Sequence, residues 1–271
     1  MCPAKSSSSP DYGEVAIRQA LTTRVIGHDL IFLQSTTSTN VIAKKRGRKG
    51  CVEGLVVVAD HQRSGKGRMG RRWSAPAGAD VLMSIVLRPQ MSPEVCAKLT
   101  GMACLAVAKT IETCHGLQPQ VKWPNDVLID GRKVCGILTE GQVREHRLAF
   151  AVVGIGINAN REQKTFRKPV SQTASSLLIA LGHPVDRTKL LAKVLHNLEV
   201  EYMQLKSSGF SGIVPELRRR LSHLDRDITV RTGESETRGR CLGLDDESRL
   251  IVQESNGTRH AFWGGEILRV R

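Results

Sequence analysis

Leu55-Val56-Val57-Val58-Ala59 leads, through Asp60 and His61, into Gln62-Arg63-Ser64-Gly65-Lys66-Gly67-Arg68-Met69-Gly70-Arg71-Arg72-Trp73. The continuous apolar run marks a strand covered on both faces. Residues 63–72 then carry five cations and three glycines with no acid among them. Glycines let backbone N–H groups approach a ligand, and guanidinium forks clamp phosphate or carboxylate. The stretch therefore reads as an anion-binding loop at the end of a buried strand, where α/β ligand sites tend to lie. Its glycine spacing matches neither a Walker A loop nor a dinucleotide fingerprint. The plainer explanation of the same composition is a flexible basic surface turn. If the loop does bind, its glycines imply that it orders with its ligand.

On the N-terminal side, Glu14 to Thr22 fits a short amphipathic helix and Leu30 to Gln34 a strand, which enters the polar segment Ser35 to Asn40. Residues 1–10 read as a disordered start with no secretory signal. So short a lead into the first strand leaves no room for a helix-turn-helix domain. The basic run Lys44-Lys45-Arg46-Gly47-Arg48-Lys49 is expected to be a solvated loop, with steering of an acidic protein partner as the sharper alternative.

On the C-terminal side, Asp80 to Leu87 reads as a second buried strand, and Pro93 to His115 as a long helix with proline at its start. Val121 to Trp123 enters a turn at Pro124 and Asn125. Val127 to Ile129 and Lys133 to Leu138 bracket Asp130-Gly131, a two-residue hairpin signal. Leu148 to Ile157 is a further strand ending in Gly154-Ile155-Gly156-Ile157-Asn158. Asp186 to Leu205 and Gly212 to Leu224 look helical, whereas short strands broken by Gly233, Asp245-Asp246 and Asn256-Gly257 follow Asp227. The expected architecture is an N-terminal extension with a short helix (1–27), an α/β (α+β) domain with a mixed sheet and helices (28–224), and a small C-terminal SH3-like β-barrel (225–271).

Composition bounds the partners. Of 271 residues, 40% are hydrophobic, enough for a sizeable core. No apolar run approaches the roughly 20 residues of a membrane-spanning helix. Seven cysteines without a Cys-x-x-Cys pair and eight histidines without ligand spacing argue against a disulfide framework or a bound structural metal, and suit reduced thiols in the cytoplasm. A net charge of +14 admits nucleic acid, an anionic substrate or an acidic protein.

A second constellation, Lys122-Trp123-Pro124-Asn125-Asp126, places a cation, an amide and a carboxylate just past a strand end. The lysine could neutralise charge developing on a phosphoryl group, and the carboxylate could hold magnesium through water. A proline turn with an Asn cap is the plain alternative. Lys133 adds a third cationic element beyond the hairpin.

Ser38-Thr39-Asn40, the loop Gly65 to Arg72 with Trp73, Lys122 to Asp126, Arg132-Lys133-Val134-Cys135-Gly136-Ile137-Leu138, Gly154 to Asn158 and Trp263-Gly264-Gly265-Glu266 follow one another in the order seen in biotin protein ligases. The chain resembles the short, monofunctional type of that family, without the N-terminal helix-turn-helix. The resemblance implies a class II aminoacyl-tRNA synthetase-like catalytic domain at 28–224 and a two-step reaction. Biotin and MgATP would give biotinyl-5′-AMP, and the biotinyl group would pass to a lysine on the biotin carboxyl carrier domain of an acyl-CoA carboxylase.

The resemblance also implies residue roles. Ser38, Thr39, Asn40 and Gln62 would pair with the ureido ring, with Gly65 and Gly136 lining the biotin site and Trp73 and Leu138 beside the valeryl chain. Backbone groups at Lys66, Gly67 and Arg68, with Lys133, would hold the biotin carboxylate. Arg68 and Arg71 would cover the pyrophosphate, Lys122 would stabilise the α-phosphate, Asn125 and Asn158 would face the nucleotide, and Asp126 would touch magnesium. Lys122, Arg68 and Lys133 would be the catalytic groups. Lys66 departs from the arginine common at its position, and residues 159–173 lack a tryptophan for adenine. A lipoate or octanoate ligase shares this fold and chemistry. A nucleic-acid-binding protein fits the charge but is opposed by an aromatic content of 4%, so no DNA partner is expected. Any homodimer would use sheet edges.

Overall fold

The computed structural model describes residues 12–270. The expected disordered start and Cys2 lie outside them. In chain order the first elements are α1 (Glu14–Ala20), β1 (Leu30–Thr36), α2 (Thr39–Arg48) and β2 (Val56–Gln62). Next come a two-stranded hairpin, β3 (Gly65–Lys66) with β4 (Arg72–Trp73), then β5 (Val81–Leu87) and α3 (Val95–His115). β6 (Gln120–Lys122), β7 (Asp126–Ile129), β8 (Arg132–Arg144) and β9 (Arg147–Ile157) follow as a meander, then α4 (Leu177–Leu181), α5 (Arg187–Ser208) and α6 (Val214–Arg220). The chain closes with β10 (Asp227–Thr232), β11 (Ser235–Leu244), β12 (Leu250–Gln253), β13 (Arg259–Phe262) and β14 (Glu266–Val270).

Seven strands form one mixed sheet in the order β1-β2-β5-β9-β8-β7-β6. β1 and β2 run parallel because α2 crosses over between them; the other neighbours are antiparallel. Alternation divides β2 and the residue before it between two cores: Val56 and Val58 join the larger core, which also takes in α3 and α5, while Leu55 and Val57 join Ala43, Val86, Phe150 and Val152 beneath α2. Burial on both faces is why residues 55–59 carry no polar side chain. The β7–β8 turn has Asp130 at φ 49° and Gly131 at φ 71°, the left-handed pair expected of Asp-Gly. The last five strands form a separate antiparallel sheet in the order β13-β12-β11-β10-β14.

Two local expectations need correction. The basic run 44–49 is not a loop: its residues up to Arg48 lie in α2, because Ala43 and Gly47, four residues apart, give that helix a narrow buried face. The second C-terminal helix is confined to Val214–Arg220, since Leu221 turns to extended backbone and Ser222 N bonds to Val121 O beside the main sheet. No helix among the described residues is long and apolar enough to cross a membrane.

Candidate functional site

Register across β5, β9 and β8 builds the floor of a cavity on the α2 side of the main sheet. Ser84, Gly154 and Leu138 are aligned in one row, and Leu82, Gly156 and Gly136 in the next. A Cβ on Gly154 would lie 2.0 Å from Asn40 Oδ1, and Cβ atoms on Gly136 and Gly156 would lie 2.8 and 2.7 Å from the Trp73 ring. The glycines are therefore the space into which Asn40 and Trp73 fit. Gly65 pairs with Trp73 across the small hairpin, where a Cβ would meet Trp73 O at 2.4 Å.

One end of the cavity is a buried network of neutral amides and hydroxyls, backed by the Glu140–Lys44 ion pair. The start of α2 brings Ser38, Thr39 and Asn40 to it, all almost fully buried. Gln62 Oε1 accepts from Thr39 N at 2.7 Å and from Thr39 Oγ1 at 3.1 Å. Ser84 Oγ donates to Asn40 Oδ1 at 2.6 Å and lies 2.7 Å from Thr39 Oγ1. Asn40 Nδ2 donates to Leu138 O and to Glu140 Oε2. Burial would raise the Glu140 pKa, but hydrogen bonds from Asn40 and Lys44 outweigh it and hold the group below the ordinary value. Both hydrogens of the Asn40 amide are thus taken by protein, and its oxygen accepts from Ser84. Gln62 Nε2 has no partner among the described residues and borders the cavity.

The other end is cationic. Lys133 Nζ pairs with Asp126 Oδ1 at 2.6 Å and sits 5.5 Å from the Trp73 ring centroid. Arg68 donates to Asn125 Oδ1 at 3.0 Å and to Gly265 O at 3.2 Å. Burial lowers the Arg68 pKa, opposed by the nearby Asp126 carboxylate. Asn125 Nδ2 in turn donates to Ile137 O, which pins the turn after β6 to β8. Arg71 is ion-paired with Glu266 at the start of β14; that hydrogen bond is the main reason the Glu266 pKa is lowered, and Lys122 adds to it. Lys122 also disfavours the charged form of buried His223, whose pKa burial pushes down to about 4. Met69 at φ 54° and Gly70 at φ 72° form the sharp tip that turns the hairpin back.

Of the residues given binding or catalytic roles from sequence, all but Gly65 and Asn158 line this cavity. Asn158, at the end of β9, is buried beside it, its Nδ2 donating to Ser175 O and its backbone N–H to Val134 O. Sequence reasoning passed over Ser84 and Glu140, single polar residues within strands that carry no spacing signal. It quoted Gly154, Gly156 and Glu266 inside motifs without giving them work. Among the described residues no group of three or more His, Cys, Asp or Glu side chains could hold a metal ion.

Comparison with known proteins agrees with this geometry. Residues 31–158 match the Biotin/lipoate A/B protein ligase family, and residues 223–270 the Biotin protein ligase C terminal domain. The chain is 35% identical over 249 residues to the Bifunctional ligase/repressor BirA of Bacillus subtilis, covering 92% of this chain and 77% of that relative. It is 33% identical over 241 residues to the biotin–[acetyl-CoA-carboxylase] ligase of Paracoccus denitrificans, covering 86% of this chain and all of that relative. The structure of the Aquifex aeolicus biotin protein ligase in complex with biotin and ATP is similar, with a TM-score of 0.77 and 25% identity over 90% of this chain and 99% of that one. The chain belongs to the biotin protein ligases, within the biotin/lipoate A/B protein ligase family.

Proposed function

We propose that the protein activates biotin with ATP as biotinyl-5′-AMP and transfers the biotinyl group to a lysine of a biotin carboxyl carrier domain of an acyl-CoA carboxylase. The observation that carries this reading is the polarity of one cavity, with a neutral amide-and-hydroxyl network at one end, the Trp73 ring over a glycine floor in the middle, and cations at the other. A ureido head, an apolar chain and a carboxylate, in that order, are complementary to it. Gln62 Nε2, with Ser38 and Thr39, is assigned to the ureido ring, while Asn40 holds the network in place. Gly65, Gly136, Trp73 and Leu138 shape the channel for the chain.

In the first step the biotin carboxylate attacks the α-phosphorus, a P–O bond forms, and the bond to the pyrophosphate leaving group breaks. In the second, the acceptor amine attacks the acyl carbon, AMP leaves with the bonding pair, and the amine loses a proton. Both nucleophiles come from substrates, so the protein supplies position and charge. Backbone N–H groups of the 66–68 segment and the Lys133 ammonium orient the carboxylate. Lys122 and Arg68 neutralise the α-phosphate, Arg71 the departing pyrophosphate, and Asn125 fixes Arg68. Asn158 holds the strand end beside the nucleotide.

The acids at this end, Asp126 and Glu266, are ion-paired with Lys133 and Arg71. Such a donor set fits a magnesium ion carried in by the triphosphate rather than one caged by protein, with Asp126 its carboxylate contact. When bound, Mg2+ would neutralise charge on the phosphates. We assign the chemistry to residues 28–224 and the small β unit to 225–271. Incubating the protein with ATP, biotin and a carrier domain tests the reading: one biotinyl group should be added by mass, and lipoate in place of biotin should give no product.

A further inference from the structure

The solvent side of α2 carries a cationic groove that the chemistry of neither step uses. A Cβ on Gly47 would lie 2.5 Å from the Phe150 ring, so the helix is pressed onto β9. Arg88 fastens its end, donating to Gly47 O, Cys51 O and Ala149 O and lying 5.5 Å from the Phe150 centroid. With that face fixed, Lys44, Lys45, Arg48 and Lys49 line a groove with Val41 and Lys66, and Glu140 is the one acid among its described lining residues. Lys44 is paired with Glu140. Arg48 finds the neutral amide of Gln142, and Lys45, Lys49 and Lys66 make no ion pair among the described residues.

Two plain explanations fall short. Cations in the last turn of a helix suit its dipole, but Lys66 belongs to β3 and converges on the same groove. A generally basic surface would treat other clusters alike, yet Arg218, Arg219 and Arg220 face Asp246, Glu216 and Glu112. That arginine cluster is neutralised within the protein, whereas the α2 groove is left open. An uncompensated cluster of one sign attracts a partner of the other.

Lys66 lines both this groove and the cavity, so the two adjoin. Among the described residues no aromatic side chain lines the groove to stack a base, which disfavours single-stranded nucleic acid. We propose that the α2 groove docks an acidic face of the acceptor domain and holds it beside the cavity while its lysine enters. The proposal rests on the ligase reading above and names the surface that the second step uses.

The test is the triple variant Lys45→Gln, Arg48→Gln, Lys49→Gln, which keeps good helix formers and leaves Lys44, Glu140 and Lys66 in place. The probe is a purified carrier domain of an acetyl-CoA carboxylase with net negative charge. At low ionic strength, kcat/KM for the carrier should fall about tenfold through KM, and its salt dependence should flatten. Adenylate synthesis from biotin and ATP without carrier should stay at the wild-type rate. Carrier kinetics equal to wild type, or an equal loss in both half-reactions, would overturn the proposal. So would lost binding to a DNA duplex or single strand with carrier transfer intact, which would assign the groove to nucleic acid. Failure of the wild-type protein to form the adenylate would instead overturn the ligase reading.

Discussion

A methyl group on Gly156 would stand 2.7 Å from the Trp73 ring, and Gly136, its partner across the β8–β9 ladder, is equally tight against the same ring. Two glycines in register are therefore the seat of an indole delivered by the arginine-rich hairpin. The ring separates the neutral end of the cavity from the cationic end. Its placement is the step that turns a basic loop into one wall of the cavity.

Gly156→Ala should displace that ring. Overpacking of this kind costs about 1–3 kcal/mol, and if the displaced ring narrows the channel, biotin affinity falls by roughly tenfold or more. Calorimetric titration with biotin reads the effect directly. Unaltered affinity would mean that Trp73 is not part of the biotin wall.

Arg68→Ala and Lys122→Ala should each slow adenylate formation by about 10²–10³-fold, the usual loss when a charge-stabilising group is removed from a transition state. Biotin binding should change far less, because the neutral network at the other end is untouched. Pyrophosphate release measures the first effect and equilibrium titration the second. Full activity in both variants would refute the phosphate roles.

Ser84→Ala removes the hydroxyl that joins Thr39 to Asn40 and leaves Asn40 Oδ1 buried without a donor. Such a loss costs about 1–3 kcal/mol. Because Ser84 acts through its neighbours, KM for biotin should rise while kcat holds. A fall in kcat with KM unchanged would contradict the positioning role.

Asp80 is fully buried, 3.7 Å from Arg161, and burial pushes its carboxyl up to about 7 against the opposing pull of Arg161 and Arg187. The folded protein keeps a proton that the unfolded chain releases near pH 4. Its contribution to stability is thus full below about pH 4 and lost as pH rises to about 7. Melting temperatures of wild type and Asp80→Asn, compared across that range, should show wild type losing ground to the variant and then running parallel above it. Parallel curves throughout would place the Asp80 pKa at an ordinary value.

Much of this was legible locally. The apolar run at 55–59 and the Asp-Gly pair at 130–131 each carry their own instruction, because burial on two faces and left-handed backbone demand particular residues. The run 44–49 misled because its charge suggests a loop, while the helical evidence, Ala43 and Gly47 under Phe150, depends on a strand about a hundred residues away. Ser84 was invisible for a related reason: one hydroxyl in an apolar strand has no pattern until the register opposite Gly154 is known.

The sequence by itself determined the chemistry available, namely a glycine-rich loop of cations, a lysine and carboxylate beside a proline turn, and strands that must be buried. These follow from residue type and short-range periodicity, which need no knowledge of the fold. Only the tertiary structure decided that Arg71 meets Glu266, 195 residues away, that Arg68 meets Gly265, and that three glycines on two strands leave room for Asn40 and Trp73. Strand register and sheet order set those meetings, and both are properties of pairing between distant segments.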